Sequence, residues 1–374
     1  MKILFITNNL PPIVDGVGDY TYNIAKQFAK HEHEVYIVCR KDLRINIEIE
    51  GIMVLPIVEN WNFRCYKPIV KVIKENRIDI VSLQYVPHGF HLKGLPFSIV
   101  KLTNEINKTQ SKLFTFFHEV YVEEGKGRLK RYVLSKLMQS ISKRVKDNSD
   151  YLATSIEYYG DMIKKLSSRK KDISIIPIAS NIPETKMSED DLAVLKKEIA
   201  PNNETIISFF GLRNIQTSID AISELKNDGY NLKIVLIGKT QCSSVNNLPK
   251  DTFKTGILDI VEIDKYFKIS DIFILPQDNI YGCSFKSGSF VAGMRNRLPI
   301  ITAKGKLTSN ELKNCKNILF TDFDCIKEIK ESVRCLLKNR NLVLCMRKQA
   351  YIIVGSFTWE ETYNRYIHIL SRVK

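Results

Sequence analysis

Hydroxyl, glycine and lysine residues cluster in the segment 284–289, which reads SFKSGS. The segment follows a short apolar run and precedes a stretch of helical period, so it is predicted to start a helix. Backbone N–H groups at a helix N-terminus attract anions, and Lys286 adds a full positive charge. The pattern predicts a diphosphate site, and a capped helix start without a ligand is the alternative. The predicted site residues are Ser284, Lys286, Ser287, Gly288 and Ser289.

A second glycine-containing turn, NNLPPIVDGVGDY, follows the first apolar run of the chain. Gly16 and Gly18 precede a helical stretch and would let a ligand approach the backbone, so we predict that they contribute to anion binding. Thr21 stands where a G-x-G-x-x-G dinucleotide fingerprint needs its third glycine, and no acid ends the second apolar run. A nicotinamide dehydrogenase is therefore disfavoured. A tight turn without a ligand stays open as the alternative.

Short apolar runs alternate with longer stretches of helical period along the whole chain. In the first half the apolar runs are KILFIT (2–7), EVYIV (34–38), IDIVSL (78–83), KLFTFF (112–117) and YLATS (151–155). In the second half they are ETIISFFG (204–211), LKIVLIG (232–238), DIFILP (271–276) and LPIIT (298–302). This alternation predicts an α/β fold with parallel sheets covered by helices on both faces.

A polar, charged segment at 184–203 separates the two series and is interpreted as the domain junction. We therefore predict one domain over residues 1–184 and a second over residues 185–356. A closing helix is predicted over residues 357–374, because Thr358 and Glu361 form a capping box before residues at helical spacing.

The chain has 374 residues and a net charge of +15, which favours phosphates, nucleic acid or an acidic membrane face as partners. No zinc finger, helix-turn-helix or RNA-binding signature is present, so nucleic acid is not predicted as a partner. No apolar run approaches the roughly 20 residues of a membrane helix. The start MKILFIT is too short for a signal peptide, so a cytoplasmic location is expected. The eight cysteines are scattered and predict reduced thiols rather than a metal site.

The segment 125–147 carries eight Lys or Arg residues between positions 126 and 146. Apolar residues recur every fourth position in it, at Leu129, Val133, Leu137, Ile141 and Val145. A cationic amphipathic helix of this kind is typical of binding to an anionic membrane surface or to a lipid diphosphate. A helix that packs its apolar stripe on the core, with solvated charges, is the equal alternative.

The order of these motifs resembles the GT-B glycosyltransferases, in particular the family 4 group that uses nucleotide-sugar donors. The opening residues 11–38 are similar to that family's first strand, glycine loop, helix and second strand. The segment 282–302, GCSFKSGSFVAGMRNRLPIIT, is similar to a family variant that reads roughly GxSxRxGSxxAAxxxGxPVVT. The resemblance implies two Rossmann-like, doubly wound domains that face a cleft, with the closing helix returning to the first domain.

The resemblance also implies roles for individual residues. His118, at the end of KLFTFF, would lie at the reaction centre, and Arg213 would grip the donor phosphates together with the segment 284–289. Gln84, Tyr85 and His88 are predicted to face the acceptor. His88 and His91 form an HxxH pair, but a third ligand is lacking and Pro87 and Gly89 favour a loop, so no metal is predicted.

Three positions depart from the family pattern. The tripeptide QTS at 216–218 replaces the expected Lys-Gly. Ser284 and Ala292 stand at the positions where many family members have glutamates. Arg297 stands at a position where the family usually has a glycine. The prediction is a retaining transferase that moves a sugar from a nucleotide diphosphate to a glycan or lipid-linked acceptor, without a cofactor, in bacterial surface polysaccharide synthesis. A catalytically inactive subunit that scaffolds a partner transferase, or a nucleotide-sugar epimerase, are the alternatives.

Overall fold

The computed structural model describes residues 1–42, 51–123, 129–167, 170–211, 213–239 and 245–371. The chain divides into two compact units. Unit 1 comprises Met1–Pro177 together with Trp359–Lys374, and unit 2 comprises Ile178–Thr358.

Unit 1 contains a seven-stranded parallel sheet in the order β3-β2-β1-β4-β5-β6-β7. The strands are β1 (Lys2–Ile6), β2 (Glu34–Arg40), β3 (Ile52–Val58), β4 (Ile80–Tyr85), β5 (Lys112–Phe117), β6 (Tyr151–Thr154) and β7 (Ile173–Ile175). The helices are α1 (Gly16–Lys30), α2 (Tyr66–Asn76), α3 (Pro87–Phe90), α4 (Phe97–Ile106), α5 (Leu129–Asn148), α6 (Glu157–Lys165) and, from the end of the chain, α13 (Trp359–Leu370). The strand order reverses direction between β1 and β4, which makes the sheet doubly wound.

Unit 2 contains a six-stranded parallel sheet in the order β10-β9-β8-β11-β12-β13. The strands are β8 (Thr205–Phe210), β9 (Leu232–Ile237), β10 (Phe253–Lys254), β11 (Ile272–Leu275), β12 (Ile300–Thr302) and β13 (Leu319–Phe320). The helices are α7 (Glu189–Ile199), α8 (Gln216–Asn227), α9 (Ile260–Ile269), α10 (Gly288–Arg295), α11 (Ile326–Lys338) and α12 (Arg340–Val354). The order reverses between β8 and β11, so this sheet is doubly wound as well.

The segment 184–203, interpreted from sequence as a polar junction, contains helix α7 of unit 2. Ser188 caps this helix, because its side chain accepts a hydrogen bond from the backbone N–H of Asp191. Thr185 belongs to unit 2, and its N–H donates a hydrogen bond to the buried carboxylate of Asp264 in the same unit at 2.8 Å. The change of unit falls earlier, between residues 177 and 178. The polar composition of this segment suggested a linker, but it reflects the solvent exposure of most of helix α7.

Helix α13 follows unit 2 in the chain but packs in unit 1. Tyr366 is fully buried and stacks on Phe114 of β5, with 4.5 Å between ring centroids. Tyr363 packs edge-on against Phe28 of α1 at 5.0 Å. Because large aromatic side chains bury much apolar surface, these contacts make α13 part of the core of unit 1. Among the described residues, no helix is long and apolar enough to cross a membrane.

Candidate active site

In unit 2, the loops that follow β8 and β11 meet at the carboxyl edge of the sheet. These neighbouring strands flank the reversal in strand order, which is where ligands bind in open α/β sheets. Gly211, in the loop after β8, has a left-handed φ of 93°, and a Cβ built on it would lie 4.0 Å from Ser289 Oγ. The structure therefore brings the loop that carries Arg213 to the start of α10.

The predicted segment 284–289 ends in the first turn of α10. Ser287 is the N-cap, and its hydroxyl accepts a hydrogen bond from the N–H of Phe290 at 3.4 Å. Gly288 and Ser289 are the first helical residues, so their N–H groups have no acceptor within the helix. Lys286 is partly exposed, whereas Ser284 is buried and 3% accessible. The helix dipole and the cation of Lys286 make this turn attractive to an anion.

Arg213 lies half-buried in the adjoining loop. Its Nε is buried and has no hydrogen-bond partner among the described residues. Burial lowers the pKa of this guanidinium, because desolvation penalises the charged form. An anionic ligand would relieve that penalty. Arg213 and the α10 turn together can hold a phosphate group through cations and backbone amides.

The residues that depart from the family pattern have structural roles here. Gln216 begins α8, and its side-chain amide bonds to Asp220 at 2.7 Å and to both the N–H and the carbonyl of Asn246. Ala292 is fully buried in α10. Arg297 takes a left-handed φ of 56° after α10, in the position where a glycine was expected.

In unit 1, Gly16 and Gly18 begin α1. A Cβ on Gly18 would lie 2.7 Å from the carbonyl oxygen of Asn9, so this glycine permits close packing of the helix on the preceding loop. Asp15 caps the helix and accepts from Val17 N, and Asp19 lies one turn later. Burial, together with the charge of Asp15, raises the pKa of Asp19 to about 6. A phosphate here would meet two acidic side chains, so the anion-binding role predicted for both glycines has no electrostatic support in unit 1.

His118 follows β5 directly and is 7% exposed. Its Nε2 lies 2.9 Å from Oε1 of Gln84, and its ring packs edge-on against Tyr20 at 4.9 Å. Gln84 and Tyr85 are both fully buried in β4, and the Tyr85 hydroxyl pairs with Ser142. No contact in the structure tests whether these two side chains face an acceptor, so that assignment stays a prediction. Gln84 lies beside His118.

His88 is exposed on α3, a single helical turn over Pro87–Phe90 where the sequence favoured a loop. It remains available to an acceptor. A residue that sequence reasoning missed lies at the same edge of the sheet: Trp61, in the loop after β3. Its indole N–H donates to Asn8 Oδ1 at 2.7 Å, and its ring packs on Phe90 at 4.7 Å. The indole is half-buried and rigidly held.

The basic helix α5 divides into two halves. Met138, Ile141 and Val145 are buried in the core of unit 1. The earlier apolar residues of the predicted stripe are exposed instead: Leu129 at 77%, Val133 at 48% and Leu137 at 39%. Of the eight cations, those at positions 126 and 128 lie outside the described residues, and Lys146 is buried against Ser167. The second half of the helix thus packs on the core, as one alternative predicted, whereas binding of the exposed half to a membrane stays a prediction.

The loop 91–96, which precedes α4, packs against α5. A Cβ on Gly94 would lie 2.9 Å from Met138 of α5 and 2.8 Å from Nε2 of His88. Leu92 in the same loop is 97% exposed and Phe97 is 38% exposed. We call the exposed apolar residues of this loop, of the start of α4 and of α5, together with three cations of α5, the α5 surface: Leu92, Phe97, Leu129, Val133, Leu137, Lys130, Arg131 and Lys136.

Comparison with known proteins bears on both units. Residues 14–179 match the model of Glycosyltransferase Family 4. The resemblance predicted from the motifs is thereby confirmed over most of unit 1. None of the curated proteins compared with the chain gives a significant match.

Solved structures of GT-B glycosyltransferases share the fold of the whole chain, which confirms the predicted fold class. HepE from Anabaena, in complex with UDP-glucose, has a TM-score of 0.73 at 13% identity, with 100% of each chain covered. Sucrose-phosphate synthase from Thermosynechococcus elongatus has a TM-score of 0.72 at 13% identity over 100% of this chain and 99% of its own. WaaG, a glycosyltransferase involved in lipopolysaccharide biosynthesis, has a TM-score of 0.68 at 11% identity over 99% and 100%.

Proposed function

We propose that the protein is a glycosyltransferase that uses a nucleotide-diphosphate sugar as donor. The observation that carries the proposal is the meeting of the Arg213 loop with the first turn of α10 in unit 2. Arg213, Lys286 and the amides of Gly288 and Ser289 bind the diphosphate and stabilise its negative charge as the sugar leaves. These groups suffice without a metal ion or another cofactor. Retention at the anomeric carbon follows the family resemblance.

The acceptor binds to unit 1. His118 contacts the reacting sugar, and His88 and Trp61 contact the acceptor at the carboxyl edge of the sheet. The rigid indole of Trp61 offers an apolar face to the C–H groups of a pyranose ring. The acceptor is a glycan or a lipid-diphosphate-linked sugar of bacterial surface polysaccharide synthesis, and the naming of WaaG as a lipopolysaccharide enzyme supports this class.

We propose further that the protein binds through the α5 surface to the cytoplasmic face of an anionic membrane. Exposed apolar side chains lie among Lys130, Arg131 and Lys136, and no acidic residue occurs between 126 and 146. Such a surface gains from apolar burial and from attraction to anionic lipids together. Gly94 lies between His88 and Met138 of α5, so a lipid-linked acceptor that binds beside α5 would lie near His88.

The test is acceptor-dependent release of nucleotide diphosphate by the purified full-length chain. A panel of UDP-, GDP- and ADP-sugars is incubated with and without a polar lipid extract that contains lipid-diphosphate carriers. Release that needs the extract, and that is lost in Arg213→Ala, supports the proposal.

Nucleotide binding without release would instead favour the second candidate, a non-catalytic subunit of a partner transferase. The structural engagement of Gln216 and the burial of Ala292, where the family pattern has a lysine and a glutamate, motivate that candidate. Conversion of the sugar in the absence of any acceptor would indicate an epimerase.

A further inference from the structure

Helix α12 of unit 2 has one side in the core and the other side in solvent. The side in the core carries the buried residues Met346, Ala350 and Val354. On the solvent side, three large apolar residues are at least half exposed: Leu344 at 53%, Tyr351 at 50% and Ile352 at 60%. Residues seven and eight positions apart lie on one face of a helix, so these three residues share a face of α12.

The charged residues of α12 are all cationic. Arg340 and Lys348 are exposed and alternate with Leu344 and Ile352 at intervals of four residues, so they lie on the same face. Arg297, which is also exposed, stacks over the ring of Tyr351. We call these cationic and apolar residues the α12 surface: Arg297, Arg340, Leu344, Lys348, Tyr351 and Ile352.

The sequence around α12 differs in charge from the other large helices of the unit. The stretch 332–359 contains five Lys or Arg residues and no acidic residue. In contrast, α7, α8, α9 and α11 each carry acidic residues. The exposed apolar residues of α12 therefore lie in a segment that attracts anions and repels other cationic surfaces.

We propose that the α12 surface binds an anionic lipid membrane. Leucine and isoleucine side chains gain from burial at the boundary between headgroups and acyl chains, and a tyrosine ring is suited to this boundary. The three cations are attracted to anionic headgroups at the same time. A second copy of this chain fits the surface less well, because its own α12 would bring cations against cations. The inference requires neither sugar transfer nor lipid binding by the α5 surface.

The first experiment is flotation of the full chain with vesicles of phosphatidylglycerol and phosphatidylethanolamine in equal parts. Replacement of Leu344 and Ile352 together by serine is expected to weaken binding by about 10- to 100-fold, because less apolar surface enters the membrane. Arg340→Glu with Lys348→Glu is expected to weaken binding by about 10-fold or more at low salt. Vesicles of phosphatidylcholine alone should bind the wild type less than the anionic vesicles do.

Val194→Ser is the matched control for flotation. Val194 is 68% exposed on α7 of the same unit, but it follows the acidic residues of the first turn of that helix. Its replacement should leave flotation at the level of the wild type. Because every replaced residue is exposed, the variants should keep the fold, and thermal melting of each protein verifies this.

The second experiment locates the lipid on the helix. Tyr351→Trp places a fluorophore on the α12 surface, and anionic vesicles with brominated acyl chains quench a tryptophan that reaches the acyl boundary. Quenching is expected to exceed that of the wild type, whose Trp61 and Trp359 both belong to unit 1. Val194→Trp is the matched control and should show no more quenching than the wild type.

Unchanged flotation of both α12 variants would overturn the inference, as would quenching of Tyr351→Trp no greater than that of Val194→Trp. A wild-type dimer in light scattering that the two serine substitutions dissociate would also overturn it, because a second copy would then cover this face. If flotation falls in the α12 variants but not when Leu129, Val133 and Leu137 are replaced by serine, the inference stands and the proposed role of the α5 surface fails. The reverse result overturns the inference alone.

Discussion

The guanidinium of Arg297 lies over the ring of Tyr351, with 4.3 Å between Cζ and the ring centroid. Arg297 occupies the left-handed position that ends α10, and its N–H donates to the carbonyl of Met294. A non-glycine residue in this conformation costs roughly 1–2 kcal/mol. The cation–π contact with Tyr351 in α12 stabilises the folded protein by about 0.5–1 kcal/mol and so offsets part of the backbone strain. This contact accounts for an arginine at a glycine position.

Arg297→Ala is expected to destabilise unit 2 by about 0.5–1 kcal/mol, because it loses the contact with Tyr351 and keeps the strained backbone. Arg297→Gly relieves the strain and should be about 1 kcal/mol more stable than the alanine variant. Urea unfolding of the full chain, followed by fluorescence, measures both values. Equal stability of the two variants would contradict this account of Arg297.

Arg213→Ala and Lys286→Ala are each expected to weaken the binding of UDP by about 10- to 150-fold. The estimate corresponds to roughly 1.5–3 kcal/mol for a hydrogen bond to a charged group. Titration calorimetry with UDP, GDP and ADP gives the affinities and identifies the base. Lys197→Ala is the matched control, because Lys197 is an exposed lysine at the opposite, amino edge of the same sheet. It lines a groove of about 630 Å³ together with Thr205 and Asp271. Unchanged affinity in both site variants would refute the placement of the donor.

Replacement of Leu129, Val133 and Leu137 by serine is expected to reduce flotation of the protein with vesicles that contain anionic lipid. The three side chains are exposed, so the changes leave the core of unit 1 intact. Lys130→Glu with Arg131→Glu should reduce flotation further at low salt. Val194→Ser, at a position 68% exposed on α7 of unit 2, is the control. Equal flotation of all the proteins would show that α5 is only a structural helix.

Asp19→Asn is expected to stabilise the protein at pH 7.5 more than at pH 4.5. In the folded protein the pKa of Asp19 is about 6, against a usual value of 3.8, so the folded state retains a proton that the unfolded state loses. The free energy of unfolding therefore falls as the pH rises from about 4 to 6. Above that range Asp19 is ionised, and its buried charge continues to destabilise the folded state. For a partly exposed group we expect a difference of about 1 kcal/mol between the two pH values.

Thermal melting of wild type and variant at the two pH values measures this effect. Asp172→Asn, at an exposed position in unit 1, should show the same small change at both. If Asp19→Asn stabilised the protein equally at both pH values, the ionisation of Asp19 would not be what destabilises the folded state.

Most of the strand framework was predictable, because buried parallel strands read as short apolar runs. Strand β3 was missed, since Pro56 interrupts its run; the strand tolerates proline because it lies at the edge of the sheet. Helix α7 was missed because its apolar positions are few among many exposed charges. In α5, periodicity predicted the stripe but not its division, since burial depends on which neighbours reach each half of the helix.

The two parts of the candidate donor site each follow a strand that the alternation predicted. The segment 284–289 comes after β11 and Arg213 after β8, and the structure adds that these two strands are neighbours. The contact of Gln84 with His118 was not predicted, because sequence does not show which face of a buried strand a polar residue occupies. Trp61 was missed together with β3, and no local motif marks Tyr366, which packs on Phe114 of β5 from a helix more than 240 residues later in the chain.

The return of α13 to unit 1 has a consequence for biosynthesis. A ribosome that has made Met1–Pro177 has not yet made Trp359, Tyr363 or Tyr366, so the nascent first unit displays an open aromatic groove until the intervening 178–358 have emerged. Chaperone capture of this intermediate is to be expected during translation, and α13 completes the aromatic core of unit 1 as one of the final folding events.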